Sequence, residues 1–256
     1  IMGKVIADVQ GKVKASDTSA TFEVENATSS VDYVLSKTDG AAGEFLKTDG
    51  SGALSFGAIA SAGFNSVQEF TSSGIWTKPV GVGITKILVF LTGGGAAGTR
   101  KSGSEGMGGG AGGTAIKFID VSAIASVTVT IGLGGTNTGT GSSPSYGNAG
   151  GASAFGVAPA TVHCTASGGS QSSSTSMPGV GGVGATGDLN IKGGTGGFSI
   201  GMGGASFWGG GSTGGYNGSS YAGPASVGAF GGGGGGTRDA AAGDGEDGVC
   251  LVLEFK

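Results

Sequence analysis

The chain has 256 residues, of which 62 are Gly and 5 are Pro, a glycine share of about a quarter against a usual one of roughly 7%. Charged residues make up 12% and the formal net charge is −4; thirteen basic residues without clustering do not supply the basic face that nucleic acid requires, and no apolar run approaches the ~18 residues of a membrane span. Two cysteines, Cys164 and Cys250, cannot build a disulfide framework, and glycines that do not recur at every third residue exclude collagen.

Residues 1–60 show strand-like alternation in TFEVEN and VDYVLSKTDG. They also hold a short repeat: LSKTDG, Leu35 to Gly40, returns ten residues later as FLKTDG, Phe45 to Gly50. Asp-Gly supplies the positive φ of a tight hairpin turn. So few large apolar groups over sixty residues could scarcely form a core alone. Residues 1–64 therefore read as a β-rich oligomeric stem, or else as a peripheral strand layer on the second domain.

From Asn65 the pattern sharpens. SVQEFTSSGIWTKPVG predicts a strand and a turn around Trp76 and Pro79, and KILVFL (86–91) predicts a buried strand running into glycine. Thr114 to Val121 and Ser126 to Gly135 alternate as strands, ASAFGV and ATVHCTASGG add two shorter ones, and Gly248 to Lys256 closes the chain with another. Helical periodicity is absent throughout. Glycine is sparse up to residue 92, with 11 positions, and dense afterwards, with the remaining 51.

The glycine islands are GGGAAG (93–98), GMGGGAGG (106–113), GVGGVGATG (179–187), GMGGASFWGGG (201–211) and GGGGGG (231–236). If they are ordered, a solenoid of strands is one arrangement, but glycine has poor strand propensity and no side chain to pack. A bundle of polyproline-II helices is the other. That conformation has three residues per turn and no internal hydrogen bonds, so its backbone is free to pair with neighbours. Close packing of such helices admits only glycine at the contact. The domain expectation is a stem over 1–64 and a glycine-rich domain over 65–256. The latter divides into a β part over 65–167 with the C-terminal strand 248–256, and polyproline-II islands mainly at 93–113 and 179–236.

The ordered series FTSSGIWTKPVGVGITKILVFLTGGGAAG, VTVTIGLGGTNTG, GNAGGASAFG, TASGG and DGVCLVLEFK resembles the glycine-rich C-terminal, receptor-binding tip of bacteriophage tail fibres. The islands are similar to those of the adhesins at the tail-fibre tips of T-even-type phages. The resemblance spans roughly Ser66 to Lys256. It implies an all-β fold without α-helices: a strand-rich trimeric stem, then a β-sandwich-like domain with a glycine-rich polyproline-II bundle. It also implies a virion component, assembled in the host cytoplasm, that attaches the phage to its host. The implied partners are a host cell-surface glycan or outer-membrane protein and an upstream tail-fibre or baseplate protein, with no nucleic acid and no membrane insertion. In place of the T-even attachment region stands the stem segment, which points to a homotrimer. A glycine-rich ice-binding protein is the alternative reading.

On a glycine scaffold, recognition belongs to the loops that join the islands: 99–105, 136–147, 170–178, 198–208, 212–224 and 237–247. Several are rich in Tyr, Ser, Gly and Asn, a composition suited to contact surfaces. Tyr146, Trp208, Tyr216, Asn217 and Tyr221 are the candidate receptor-binding residues. Trp208, flanked by glycines, reads equally as a lid on the glycine packing, and Trp76 in its W-x-x-P turn reads as structural. His163 is the sole histidine and stands beside Cys164 without a zinc-spaced ligand set. Asp239, Asp244, Glu246 and Asp247 form an acidic run without the spacing of a calcium loop, which reads as a solvated turn. With no catalytic constellation and no phosphate loop leading into a helix, the expectation is a non-enzymatic protein with no metal and no cofactor.

Overall fold

The computed structural model describes residues 21–22, 33–34, 41–48, 50, 54–58, 63–101, 103–137, 139, 145–157, 161–172, 177–198, 201–215, 229–238 and 241–256. The chain divides into two compact units, Ile1–Ala62 and Gly63–Lys256. All described secondary structure is β, and no helix occurs among the described residues.

In the first unit, β1 (Thr21–Phe22) pairs with β2 (Tyr33–Val34), and β3 (Glu44–Thr48) forms an antiparallel pair with β4 (Leu54–Ala58). Gly50, the second residue of the repeated Asp-Gly, takes φ +83°, the left-handed conformation that glycine reaches without a Cβ penalty. Every residue of β3 is exposed.

The second unit contains β5 (Phe64–Phe70), β6 (Gly74–Thr77), β7 (Lys86–Thr92), β8 (Thr114–Asp120), β9 (Ser126–Thr130), β10 (Ser153–Val157), β11 (Thr161–Ala166), β12 (Gly184–Ala185), β13 (Leu189–Ile191) and β14 (Val249–Phe255). They build two antiparallel five-stranded sheets, ordered β12-β11-β10-β9-β6 and β13-β8-β7-β14-β5. The C-terminal strand is interior: β14 lies between β7 and β5, with Val252 opposite Val89 on one side and Gln68 on the other. One apolar core draws on both sheets. Trp76, Val129 and Phe155 come from the first, and Ile87, Leu91 and Val252 from the second. Alternation along each strand aims these residues inward.

Glu254 of β14 is fully buried in that core. Its carboxylate accepts hydrogen bonds from Trp76 Nε1 (2.9 Å), Gln68 Nε2 (2.8 Å) and Ser66 Oγ. Trp76 belongs to one sheet and Glu254 to the other, so this buried bond ties the sheets together; burial without those donors would be costly. Both cysteines are free and buried. Burial pushes the Cys164 thiol up to about 12 and raises Cys250 as well.

The outer faces of the two sheets differ. On the first sheet the outward positions of β6 and β9 are Thr77, Ser126, Thr128 and Thr130, polar as expected of an antiparallel sheet against water, together with the exposed Ile75. On the second, the outward positions include Leu88, Phe90, Ile116, Phe118, Leu251 and Leu253. That outer face is largely apolar, with Lys86, Asp120 and Glu69 as its charged positions.

The glycine islands continue out of the strands as extended segments that hydrogen-bond to one another. Residues 93–101, leaving β7, show the rule. Gly93, Ala96 and Thr99 donate N–H to Gly113, Gly110 and Met107; Gly94, Ala97 and Arg100 donate to Gly151, Asn148 and Ser145; Gly95 and Gly98 donate to Glu246 and Gly243. Each third residue thus meets the same neighbour, and the three neighbours are served in rotation. Residues 106–113 behave alike: positions 108 and 111, 109 and 112, and 110 and 113 donate to three different segments. Both segments also accept from three more, so each has six neighbours. Residues 93–98 and 106–113 are buried throughout. The lattice also recruits 132–135, 148–151, 167–170 and 243–248.

Steric room, rather than torsion, imposes glycine here. None of the positions 93–98 or 106–113 has a positive φ. A Cβ built on Gly98 would lie 2.2 Å from the carbonyl oxygen of Gly235, and one on Gly203 would lie 1.7 Å from that of Gly233. No side chain fits those contacts.

Candidate functional site

Most lattice segments alternate in direction, whereas residues 209–215 and 232–237 both run outward and pair in parallel at Gly215 and Thr237. Residues 93–101 run away from β7 and 106–113 return to β8; 131–137 leave β9 and 145–151 return to β10; 167–172 leave β11 and 177–183 return to β12. Residues 193–197 leave β13, 201–205 return, and 243–248 return into β14. The connections between outgoing and returning segments therefore gather at the end of the lattice remote from the sheets.

The last rung before that end is tightly bonded. Arg100 and Ser145 exchange both backbone bonds at 2.9 Å, Thr237 donates to Thr99, and Lys101 donates to Thr237. Arg100 forms isolated β-bridges to Ser145 and Thr237, and Gly215 forms one to Thr237. Asn137 Nδ2 donates to the Gly98 carbonyl, and Ser145 Oγ donates to Asn137 Oδ1. Side chains on the connections are thus mounted on a base whose backbone groups are satisfied.

Tyr146 stands at this end, beside Ser145, and is 46% exposed. Gly215, immediately before Tyr216, is bonded to the same rung through Gly236. Tyr216, Asn217 and Tyr221 themselves lie outside the described residues. Trp208 is at the other end. Its Nε1 donates to Thr92 Oγ1 at 2.8 Å, and its ring packs on Phe90 of β7 and edge-on against Phe207. The structure therefore separates Trp208 from Tyr146, with the length of the lattice between them.

The acidic run has a role that sequence reasoning missed. Asp247 Oδ1 accepts the N–H of Gly134 and Asp244 Oδ1 that of Asn137. Both pairs are three residues apart, so the carboxylates stand where a neighbouring backbone would otherwise accept. Ser167 and Ser170 hydroxyls likewise accept from Val183 and Val180. The signal is present in the sequence as an i, i+3 spacing, but it has no meaning until a three-residue lattice is known. Glu246, partly buried and beside Asp247 and Asp244, has its carboxyl raised above the usual range, first by desolvation and then by those charges.

Elsewhere a shallow groove is lined by Val127, Thr128, Gly156, Thr161 and His163. Burial, with a smaller contribution from Lys117, holds His163 below the ordinary imidazole value. Among the described residues no three His, Cys, Asp or Glu side chains converge as a metal site.

A family model described as a glycine-rich domain matches residues 69–253. The chain belongs to this glycine-rich domain family. The match runs from within β5 to within β14, so the glycine-rich domain comprises both five-stranded sheets and the lattice between their strands. No curated protein matches the chain.

Proposed function

We propose that this glycine-rich domain is the receptor-binding tip of a bacteriophage tail fibre, which attaches the virion to its host through the connections at the remote end of the lattice. The observation that supports the reading is the alternation of outgoing and returning segments between β7 and β13: it brings Arg100, Ser145 and Thr237 together on a satisfied backbone rung at the remote end, with Tyr146 mounted beside it. Rigid frames with variable loops commonly bind in this way.

In this reading the lattice segments are polyproline-II helices, for which the three-residue rotation of hydrogen bonds is the support. The two sheets form a sandwich, and the first unit is the stem of a homotrimer. The partners are a host surface glycan or outer-membrane protein at the tip and a tail-fibre or baseplate protein at the stem. Three weak sites on one fibre raise the effective concentration and slow release. Contact rather than chemistry is the mechanism, with Tyr146, Tyr216, Asn217 and Tyr221 as the contact residues. Trp208, packed against β7, takes part only if the receptor also reaches the sheet end.

The test is adsorption of purified fibre to susceptible cells, with Tyr216→Ala/Tyr221→Ala compared against the parent. Loss of adsorption with the fold retained is the expected result; unchanged adsorption refutes the assignment of those residues. One observation favours a second reading, ice binding. Met177, Val180 and Val183 form an exposed row at three-residue spacing, with exposed Phe198 and Met202 nearby on adjoining segments. Thermal hysteresis in solution would establish that reading, and its absence would remove it.

A further inference from the structure

We propose that the groove on the β12-β11-β10-β9-β6 sheet, over Gly156 and beside His163, is a binding site for a neutral sugar residue; it is separate from the connections at the remote end of the lattice and does not depend on them.

The groove arises from an irregularity in the sheet. Across β10 and β11, Phe155 pairs with Cys164 but Gly156 pairs with Val162, so His163 is the extra residue of a β-bulge. A bulge leaves its extra residue without a partner in the ladder and re-aims a side chain, and bulges recur beside functional sites for that reason. The facing position has to be glycine. Gly156 takes φ +115°, and a Cβ there would lie 2.1 Å from the Thr161 carbonyl oxygen. With no side chain at 156, the space between Thr128 of β9 and Thr161 and His163 of β11 stays open as a groove of about 290 Å³.

The chemistry of its walls selects the ligand. Its polar groups are the hydroxyls of Ser126, Thr128 and Thr161 and the imidazole of His163. None of these side chains hydrogen-bonds to another described residue. Ile124 and Val127 add an apolar wall, and no charged side chain is among those lining the groove. Burial, and then the charge of Lys117, hold His163 below the ordinary imidazole value, so at neutral pH its ring offers one donor and one acceptor.

An anion finds no cation in this groove. A hydroxyl, by contrast, both donates and accepts, as do the serine and threonine hydroxyls and the neutral imidazole taken together. A polyhydroxyl ligand therefore meets the walls group by group, and the C–H face of a pyranose ring lies against Ile124 and Val127. The volume is at the small end for ligand sites, which suits one sugar residue.

The test reads the imidazole resonances of the full chain by NMR. His163 is the sole histidine, so the signal comes from the groove alone. Glucose, galactose and N-acetylglucosamine are the probes, with inorganic phosphate as the anionic comparison. The expected result is a saturable shift with at least one of the sugars and none with phosphate. Thr128→Val and Thr161→Val keep the shape of the groove and remove its hydroxyls. Each should weaken that sugar by about threefold to tenfold, the worth of one hydrogen bond, whereas Tyr146→Ala at the remote end should leave its affinity unchanged. No saturable shift with any of these sugars overturns the proposal, as does a shift with phosphate alone, or a sugar affinity that both valine variants leave unchanged.

Discussion

Gly110→Ala tests whether backbone proximity is what the islands encode. A Cβ on Gly110 would lie 2.1 Å from the carbonyl oxygen of Val180 and 2.4 Å from its carbon, whereas carbon and oxygen normally approach no closer than about 3.3 Å. Residues 177–183 must therefore retreat by about 1.2 Å. Two bonds hold that segment to 106–113: Gly179 N–H to Gly108 O at 2.9 Å and Gly182 N–H to Ala111 O at 2.8 Å. A retreat of that size takes both to about 4 Å, beyond hydrogen-bond range. Both donors are buried, and each buried donor left unsatisfied costs about 1–3 kcal/mol. The expected loss is about 2–6 kcal/mol, a large part of the roughly 5–15 kcal/mol available to a domain. Gly210 is the control, because a Cβ there meets nothing within 4 Å and its φ is not positive. Gly210→Ala restricts the unfolded chain and should stabilise by about 0.4–1 kcal/mol. Urea denaturation of the two variants separates the effects. Equal midpoints for Gly110→Ala and Gly210→Ala would refute the steric account of the islands.

Trp76→Phe removes a hydrogen bond to a buried carboxylate and should cost about 2–4 kcal/mol in urea, including the smaller ring; a change below about 0.5 kcal/mol would mean Glu254 is satisfied without it. Thr99 is fully buried, and its Oγ1 has no hydrogen-bond partner among the described residues, so Thr99→Val should stabilise by about 1 kcal/mol, read as a raised denaturation midpoint. The raised carboxyl of Glu246 binds its proton more tightly in the folded chain than in the unfolded one. Stability therefore falls as pH rises from the ordinary carboxylate value through the raised one, and the penalty is complete once the folded carboxyl is ionised. Glu246→Gln should raise the Tm at pH 7 and leave it unchanged once the solution is acid enough to protonate the parent, as scanning calorimetry would record. Finally, Ellman's reagent should find neither thiol in native protein at pH 8 and both in denaturant, since burial holds Cys164 near 12 and Cys250 higher still; rapid native reaction would contradict the buried placement.

The strands are legible because their alternation is local. KILVFL, Thr114 to Val121 and the closing VCLVLEF each carry a period that fixes which side chains share a face, and β7, β8 and β14 occupy those positions. Glycine islands are legible as a class, since nothing but close backbone approach accounts for runs without side chains. What the sequence alone determined is thus the list of β elements and the positions where backbones must touch. Which backbones touch was decided only in three dimensions. Asp244 and Asp247 read as a solvated turn because their partners, Asn137 and Gly134, lie more than a hundred residues away. Trp208 reads as a binding residue or a lid, and its bond to Thr92 places it against the sheet. The apolar outer face of the second sheet emerges only from the register that sets Phe118, Phe255 and Phe64 side by side. Local period is a property of neighbours along the chain, whereas each contact in a hydrogen-bonded lattice depends on which of six surrounding segments arrives at which face, and no run of residues records that choice.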